Sequence, residues 1–291
     1  MGTTFDFSPP ALAELARTDA ARALAEDVGA GDLTADLVPS DRRARARVLA
    51  REPTVICGAP WVEAALHAIE PTAALHWLVP EGRRAAADQV VLEMEGSARA
   101  LLTAERTMLN FLQLLSAVAT QTSVYVEAVH GTRAAIVDTR KTLPGLRIAQ
   151  KYAVRAGGGH NHRIGLYDTV MLKENHILAA GSIAAAAARA RTLHPGVPLV
   201  IEVESLDELR QALDTGCDRI LVDDFSEGDL REAVAIAAGR IPLEVSGGVG
   251  LERVAAIAAT GVDCISVGAL TKHVRAVDFS MRLGEPPVDA G

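Results

Sequence analysis

The sequence is poor in aromatic residues, in cysteine and in long apolar runs. Phe, Trp and Tyr make up only 3% of its 291 residues although hydrophobic residues make up 49%, so the core must be built from Ala, Val, Leu and Ile. That aliphatic bias favours a parallel α/β architecture, whose central strands are buried on both faces. Cys57, Cys217 and Cys264 lie far apart without C-x-x-C spacing, which argues against a disulfide framework or a cysteine zinc site.

Further absences concern location and partners. The start, MGTTFDFSPP, has an acidic residue and two prolines where a signal peptide needs a basic start and an apolar run. No stretch approaches the roughly 18 uninterrupted apolar residues of a membrane span. We therefore expect a soluble, cytoplasmic protein that binds no membrane. The formal net charge of -8 argues against nucleic acid as a partner, because nucleic-acid-binding domains usually carry a basic face.

The first part of the chain has the pattern of a small mixed α+β unit. Apolar spacing predicts a helix over 10–25, and the glycines and acids of EDVGAGDLT predict a loop after it. Alternating or apolar runs predict strands in ARARVLARE, VICGA, ALHWLVP and VVLEMEG. The segment 103–130 has no Gly or Pro and predicts one long helix or two stacked ones.

After Gly131, short β-branched runs alternate with Ala-rich segments, which predicts βα units and a parallel sheet. Each run ends on a polar residue or a glycine, namely Asp138, Lys173, Glu202, Asp223, Ser246 and Gly268. A βα barrel has its active site at these strand ends. An open doubly wound sheet also binds ligands there, but mainly at one crevice. Because every one of these strand ends carries a polar residue or a glycine, the pattern favours a barrel. The six runs are fewer than the strands of a complete barrel. The tail GEPPVDAG, from Gly284, predicts disorder.

The segment 138–177 is basic in an acidic chain, with seven Lys and Arg against three Asp and Glu, a local net charge of +4. Its candidate ligand-binding residues are Arg140, Lys141, His162, Arg163 and Lys173. Each alone is typical of a solvated surface. Together at neighbouring strand ends they would repel one another unless a multiply charged anion binds between them.

Two glycine turns, SGGV at 246–249 and SVGAL at 266–270, follow the last two predicted strands. Such turns let backbone N–H groups approach a phosphate, although ordinary βα turns have the same composition. Glu202 and Asp223 suit ribose hydroxyls, Mg²⁺ or a developing positive charge, and the alternative is salt bridges to Lys173 or Lys141. The histidines lack helical zinc spacing, so a zinc enzyme is not expected.

A series of motifs resembles the quinolinate phosphoribosyltransferases, the carboxylating nicotinate-nucleotide pyrophosphorylases. The motifs are EDVGAGDLT, TAERTMLNFL, DTRKTLPGLR, GGGHNHRIGLYD, LKENHI, IEVES, VDDF, SGG and SVGALTK. They keep the order of the family and run from about residue 10 to 283. DTRKT-PGLR with G-G---NHR is the most specific part of the resemblance.

The resemblance implies an α/β fold with an N-terminal open-faced α/β sandwich and a C-terminal, incomplete, six- to seven-stranded α/β barrel of TIM type. The implied domains are 1–115, joined by the segment 272–291, and the barrel 116–271. It also implies a head-to-tail homodimer, with further assembly left open, in which each active site borrows Arg106 from the neighbouring subunit.

The implied reaction joins quinolinate to 5-phosphoribosyl 1-pyrophosphate, giving nicotinate mononucleotide, CO₂ and pyrophosphate for de novo NAD biosynthesis, with Mg²⁺ bound to the pyrophosphate. The implied catalytic residues are Lys141, Glu202 and Asp223. The implied substrate-binding residues are these three with Arg106, Thr139, Arg140, His162, Arg163, Lys173, Ser246, Gly247, Gly248, Ser266, Val267 and Gly268. Rival interpretations are a paralogue linked to molybdenum-transport operons, another phosphate-binding barrel enzyme, and a sensor of phosphorylated sugars.

Overall fold

The structure, a computed structural model, describes residues 5–284. Contacts within the chain divide it into two units, one of Asp6–Thr120 with the chain from Val274, the other of Gln121–His273. No helix among the described residues is long and apolar enough to cross a membrane. Gly284, where the predicted disordered tail begins, ends the last strand. The rest of that tail lies outside the described residues.

The unit that contains the N-terminal part of the chain is built on an antiparallel sheet. Its strands are β1 (Arg43–Ala50), β3 (Ala74–Trp77), β5 (Gln89–Ser97) and β12 (Phe279–Gly284), in the order β12-β1-β5-β3. A small ladder joins β2 (Thr54–Val55) to β4 (Arg84–Ala85). The predicted strand in VICGA is wrong beyond Val55, because Gly58 adopts a left-handed conformation (φ 119°) and begins a helix.

Three helices belong to this unit or start in it, namely α1 (Pro9–Val28), α2 (Ala59–Ile69) and α3 (Ala98–Ala128). The segment 103–130 is therefore one helix up to Ala128, where α3 ends. Side chains alternate along β1, so its Ala and Val residues enter a core shared with the three helices, while its arginines face away. Arg45 and Arg47 pair there with Glu95 and Glu93. A sheet with helices on one face and charges on the other is the expected open-faced sandwich.

The second unit contains all six strands predicted after Gly131. They are β6 (Ala135–Val137), β7 (Val170–Leu172), β8 (Leu199–Val203), β9 (Arg219–Asp223), β10 (Leu243–Ser246) and β11 (Cys264–Ser266). The sheet is parallel throughout, with the order β6-β11-β10-β9-β8-β7. The first strand pairs with the last, so the sheet curls into a barrel. It stays open between β6 and β7, where His160 makes only an isolated bridge to Val137, and the expected incomplete barrel is confirmed.

The helices of this unit are α4 (Arg147–Ala156), α5 (Glu174–Ala180), α6 (Ile183–Leu193), α7 (Leu206–Leu213), α8 (Glu227–Ala237), α9 (Leu251–Ala258) and α10 (Ala269–Lys272). Ser182, Ser205 and Ser226 begin α6, α7 and α8, and each side chain accepts the N–H three residues further on. Such caps satisfy donors that a helix start leaves unpaired and fix where each strand-to-helix loop ends.

The register of the barrel sorts its polar residues onto one face. Glu202 pairs with Leu221, Leu221 with Glu244, and Glu244 with Cys264, and directly paired residues point to the same side of a sheet. The alternate positions are Leu, Ile and Val residues, nearly all fully buried against the helices. The polar face is therefore the barrel interior, and its upper end is the strand-end site that the sequence predicted.

Candidate active site

Lys173 and Glu202 meet at the ends of two neighbouring strands. Lys173 directly follows β7 and begins α5, and Glu202 lies near the end of β8. The Lys173 ammonium donates to Oε2 of Glu202. The Glu202 side chain is largely buried, whereas Lys173 is about half exposed. The ion pair therefore joins a predicted anion-binding residue to a predicted sugar-binding residue.

The first glycine turn lies directly against Asp223. Ser246 ends β10, and Gly247 and Gly248 follow with φ angles of 98° and 51°. A Cβ atom on Gly247 would stand 3.0 Å from the backbone nitrogen of Asp224 and 3.3 Å from Oδ1 of Asp223. Both the left-handed conformation and the close contact require glycine at this position. The turn leads through Gly250 into α9.

The second glycine turn lies against Lys141 and Thr139. A Cβ atom on Gly268 would stand 3.1 Å from Cδ of Lys141 and 3.5 Å from Oγ1 of Thr139. The Lys141 backbone is fixed on both sides, since its N–H donates to Thr139 Oγ1 and its carbonyl accepts from Thr271. Glycine at 268 thus leaves room for a lysine side chain beside the turn.

Two other residues of this turn are buried in the protein. The N–H of Val267 donates to the carbonyl of Val137, which extends the strand ladder, and its side chain is buried. The hydroxyl of Ser266 is also buried and donates to Glu244. The structure therefore places Ser266 and Val267 in support of the turn.

Arg140 and Arg163 supply the positive side of the site. Arg163 is half-buried, and its guanidinium donates to the carbonyl of Thr169 and contacts Sδ of Met171. Burial, and next the positive charge of Arg140, lower the pKa of Arg163, while Asp168 and Glu202 oppose that change. The charge of Arg140 thus acts unfavourably on Arg163, and a bound polyanion would relieve that repulsion.

Acidic residues lie at or just after the ends of β8 and β9. Repulsion by Glu174, followed by burial and by further carboxylates that include Asp223 and Glu202, raises the pKa of Glu204. Basic residues thus follow β6, and acidic residues lie at the ends of β8 and β9. Such a division suits a ligand pair with an anionic end and a sugar bearing hydroxyl groups.

His162, predicted as a substrate ligand, lies below the basic residues. Its Nδ1 accepts the N–H of Arg163 at 2.6 Å, and its Nε2 lies 3.4 Å from Oε2 of Glu244. The imidazole side chain is only 8% exposed. Both ring nitrogens thus face groups of the protein itself.

Glu244 was not identified from the sequence. It is fully buried in β10, and it accepts from Arg219 at 2.7 Å and from the hydroxyl of Ser266. Burial alone would raise the pKa of Glu244, but the nearby imidazole of His162, the charge of Arg219 and the hydroxyl of Ser266 outweigh it and lower the pKa to about 2. An acidic residue at an interior position of a predicted strand was the available signal.

Asp138 lies on the opposite face of the sheet from the other strand-end residues. Its fully buried carboxylate accepts from the Lys151 ammonium, from Asn161 at 2.6 Å and from the N–H of His162 at 2.8 Å. Burial raises the pKa of Asp138, and the charge of Lys151 opposes that rise. Asp138 therefore fixes the segment that carries His162 and Arg163. Lys151 also escaped identification, although a lysine among buried residues of α4 is a signal.

Arg106 belongs to the other unit. It lies on α3, and its side chain is exposed. Nothing in the pattern of its own segment marks it as functional, because the same helix would be predicted with any polar residue there.

Two models of known protein-family domains match this chain. Residues 32–116 match the model described as quinolinate phosphoribosyl transferase, N-terminal domain. Residues 118–282 match the corresponding C-terminal domain. Together the two matches cover most of the chain in the order of the family.

Named relatives and solved structures agree with these matches. The chain is 43% identical over 280 residues to a carboxylating nicotinate-nucleotide pyrophosphorylase of Mycobacterium leprae, covering 93% of this chain and 98% of the relative. A nicotinate-nucleotide pyrophosphorylase structure from Francisella tularensis is 42% identical and superimposes with a TM-score of 0.91, covering 94% of this chain and 97% of the other. The structure of NadC from Streptococcus pyogenes gives a TM-score of 0.92 at 36% identity, covering 98% of this chain and 100% of the other. The chain belongs to the quinolinate phosphoribosyltransferase family.

Proposed function

We propose that this protein transfers the phosphoribosyl group of 5-phosphoribosyl 1-pyrophosphate to quinolinate and releases pyrophosphate, CO₂ and nicotinate mononucleotide. The contact between Lys173 and Glu202 carries the proposal, because it joins the anion-binding side of the site to its sugar-binding side. Family membership and the names of the relatives support the same reaction.

The basic residues would bind the two carboxylates of quinolinate. Arg140 and Arg163 offer planar guanidinium groups suited to carboxylates, and Lys173 adds a compact charge. The 5′-phosphate of the sugar would lie on the glycine turns at Gly247 and Gly268, with Lys141 beside the second turn. Glu202 and Asp223 would then accept hydrogen bonds from the ribose hydroxyls.

Departure of pyrophosphate leaves positive charge on the sugar, and the carboxylates of Glu202 and Asp223 stabilise it. The ring nitrogen of quinolinate attacks the anomeric carbon and becomes a pyridinium. That cation draws in the electron pair of the adjacent C–C bond as CO₂ leaves, and the ring carbon takes up a proton. Catalysis is then mainly positioning and electrostatics, without a dedicated acid or base.

We also propose that Mg²⁺ accompanies the pyrophosphate. The described residues contain no group of three or more His, Cys, Asp or Glu side chains that could hold a metal by itself. Mg²⁺ in such enzymes is commonly held by one or two carboxylates together with substrate phosphates. Asp223 and Glu202 fit that supporting role, and the ion would neutralise charge on the departing pyrophosphate.

A head-to-tail homodimer that shares its active sites forms the next part of the proposal. Leu33 and Leu37 are among the most exposed large hydrophobic residues. Their loop is held to α3, because Asp32 accepts from the Thr103 hydroxyl at 2.8 Å. Thr103 and Arg106 are three residues apart and share a helix face. The exposed leucines therefore accompany Arg106 on one surface.

The barrel unit carries exposed apolar residues of its own. Leu166 and Tyr167 follow Arg163 in the chain, and Leu178 follows Lys173 on α5, and all three are exposed. Exposed apolar clusters beside polar groups commonly mark protein interfaces. A partner subunit that covered them with its Leu33 loop would bring a guanidinium to the basic side of the site.

We propose a cytoplasmic location as well. Cys57, Cys217 and Cys264 are all free thiols. Unpaired cysteines are common in reducing compartments, where disulfides are rare.

The reaction is tested by incubating the purified protein with quinolinate, phosphoribosyl pyrophosphate and Mg²⁺ while nicotinate mononucleotide and CO₂ are measured together. We expect equal amounts of the two products and none when nicotinate replaces quinolinate. The same assay without Mg²⁺ tests whether the reaction requires the metal. A folded protein without turnover would contradict the proposal and favour the paralogue with a different anionic ring acid.

A further inference from the structure

Glu244 has no part in the chemistry proposed above, yet it lies beneath both halves of the site. It precedes Ser246 of the first glycine turn by two residues on the interior face of β10, and it accepts from Ser266, which precedes the second turn. Burying an ionised carboxylate is costly unless donors surround it. Arg219 and Ser266 donate hydrogen bonds to this one, and Nε2 of His162 lies 3.4 Å from it.

His162 shows what this carboxylate does. A backbone N–H can only donate, so Nδ1 of His162, which accepts the N–H of Arg163 at 2.6 Å, carries no proton. The proton of the neutral ring then lies on Nε2, which faces Oε2 of Glu244 at 3.4 Å. Among the described residues Nε2 has no hydrogen bond of ordinary geometry. The charge of Glu244 is therefore what favours a proton on this nitrogen.

We propose that Glu244 is a positioning residue for the reaction, and that it holds His162 in the tautomer whose Nδ1 orients Arg163. If the proton moved to Nδ1, two N–H groups would face each other at 2.6 Å and the backbone of Arg163 would have to shift. The guanidinium of Arg163 lies close enough to Arg140 and Glu202 to feel both charges. A small shift there would misplace the carboxylate-binding group. This inference rests on the proposed function.

Replacing Glu244 by methionine and by glutamine separates the effect of its hydrogen-bond acceptor from the effect of its side-chain volume. Methionine fills similar space but offers no comparable acceptor to His162. Glutamine can turn its amide nitrogen toward Ser266, whose hydroxyl can also accept, and keep its oxygen toward Arg219 and His162. If Glu244 holds His162 in this tautomer, Glu244→Met should impair quinolinate binding strongly, and Glu244→Gln should restore much of it. Glu232→Gln, which removes an exposed carboxylate from α8, is the control.

The tautomer is read directly from the ¹⁵N NMR shifts of the histidine rings, since protonated and unprotonated ring nitrogens differ strongly. The His162 signals are assigned by their loss in His162→Asn. We expect an unprotonated Nδ1 and a protonated Nε2 in the wild-type protein, and loss of that state in Glu244→Met. A protonated Nδ1 in the wild type overturns the proposal, whether or not any variant folds.

The kinetic test compares KM for each substrate. We expect Glu244→Met to raise KM for quinolinate about 10- to 100-fold, with a much smaller rise in KM for phosphoribosyl pyrophosphate. Glu244→Gln should recover most of the loss, and Glu232→Gln should match the wild type. A folded Glu244→Met protein with wild-type KM for quinolinate overturns the proposed positioning role of Glu244. A wild-type protein that turns over no quinolinate overturns the proposed function instead, and the NMR measurement still decides the tautomer.

Discussion

Lys173 and Glu202 form an ion pair across the ends of β7 and β8, directly at the mouth of the barrel. For Glu202 the sequence left open a salt bridge, as the alternative to a role toward ribose hydroxyls, Mg²⁺ or a developing positive charge. The structure shows the salt bridge, and the two roles are compatible, since a dianionic ring acid that binds Lys173 would compete with Glu202 for the ammonium. Binding of the first anion would thereby free the carboxylate for the charge that develops on the sugar.

Glu202→Ala should lower kcat more than it raises KM. Loss of one preorganised electrostatic partner commonly costs about 3 kcal/mol, so kcat should fall on the order of 100-fold. Glu202→Gln keeps a hydrogen-bond acceptor but removes the charge, and it should lose nearly as much. Steady-state rates over both substrates provide the measurement. A change confined to KM would show that Glu202 only binds substrate.

Arg106→Ala and Lys173→Ala should each be inactive alone and regain activity when mixed. In the proposed shared-site dimer, a mixed dimer has one site with both residues intact. Random exchange makes half of the dimers mixed, so about a quarter of all sites should work. Activity is followed after subunit exchange has been verified with differently tagged chains. Full exchange without recovery would argue that each subunit has its own complete site.

Local pattern was enough to predict the residues at the strand ends. The runs that form β6 to β11 are short and apolar, and the residue that follows or ends each run is polar or glycine, so position along the chain already indicates position in a barrel. The same logic failed for β12, because Phe279–Gly284 is an edge strand whose partner, β1, lies at the other end of the sequence.

The supporting residues depended on pairings that one segment does not contain. The role of Glu244 depends on its contacts with Arg219, Ser266 and His162, which come from three other segments. The burial of Lys151 is likewise explained only by its ion pair with Asp138. Arg106 differs again, since its role came from resemblance to the family and its own surroundings are those of an exposed helical residue.

Gly247→Ala should impair use of phosphoribosyl pyrophosphate. An alanine would be strained at a φ of 98°, and its Cβ would press on the backbone nitrogen of Asp224 at 3.0 Å. Strain of about 1–2 kcal/mol would displace the turn and raise KM for this substrate roughly tenfold. Gly228→Ala is the matched control, because its Cβ would meet only Ser226 Oγ at an ordinary 3.6 Å. Equal KM values in the two variants would show that the turn does not hold the phosphate.

Glu244 should make the protein acid-sensitive, and Glu244→Gln should remove that sensitivity. The pKa of Glu244 is lowered from 4.5 to about 2 in the folded state, so its contribution to the free energy of unfolding is fully present above about pH 4.5. It is lost as the pH falls toward 2, and a shift of this size corresponds to about 3 kcal/mol. The stability difference between wild type and variant should therefore shrink through this range.

Urea unfolding of both proteins, from neutral pH into the acid range, measures this difference. Circular dichroism is the suitable probe, because Trp61 and Trp77 belong to the sandwich unit and their fluorescence would not follow the barrel. All other acidic residues are the same in both proteins, so their contributions cancel in the comparison. A difference that stays constant as the pH falls would mean that Glu244 is not held ionised by its partners, and the buried carboxylate would then stabilise the barrel by packing alone.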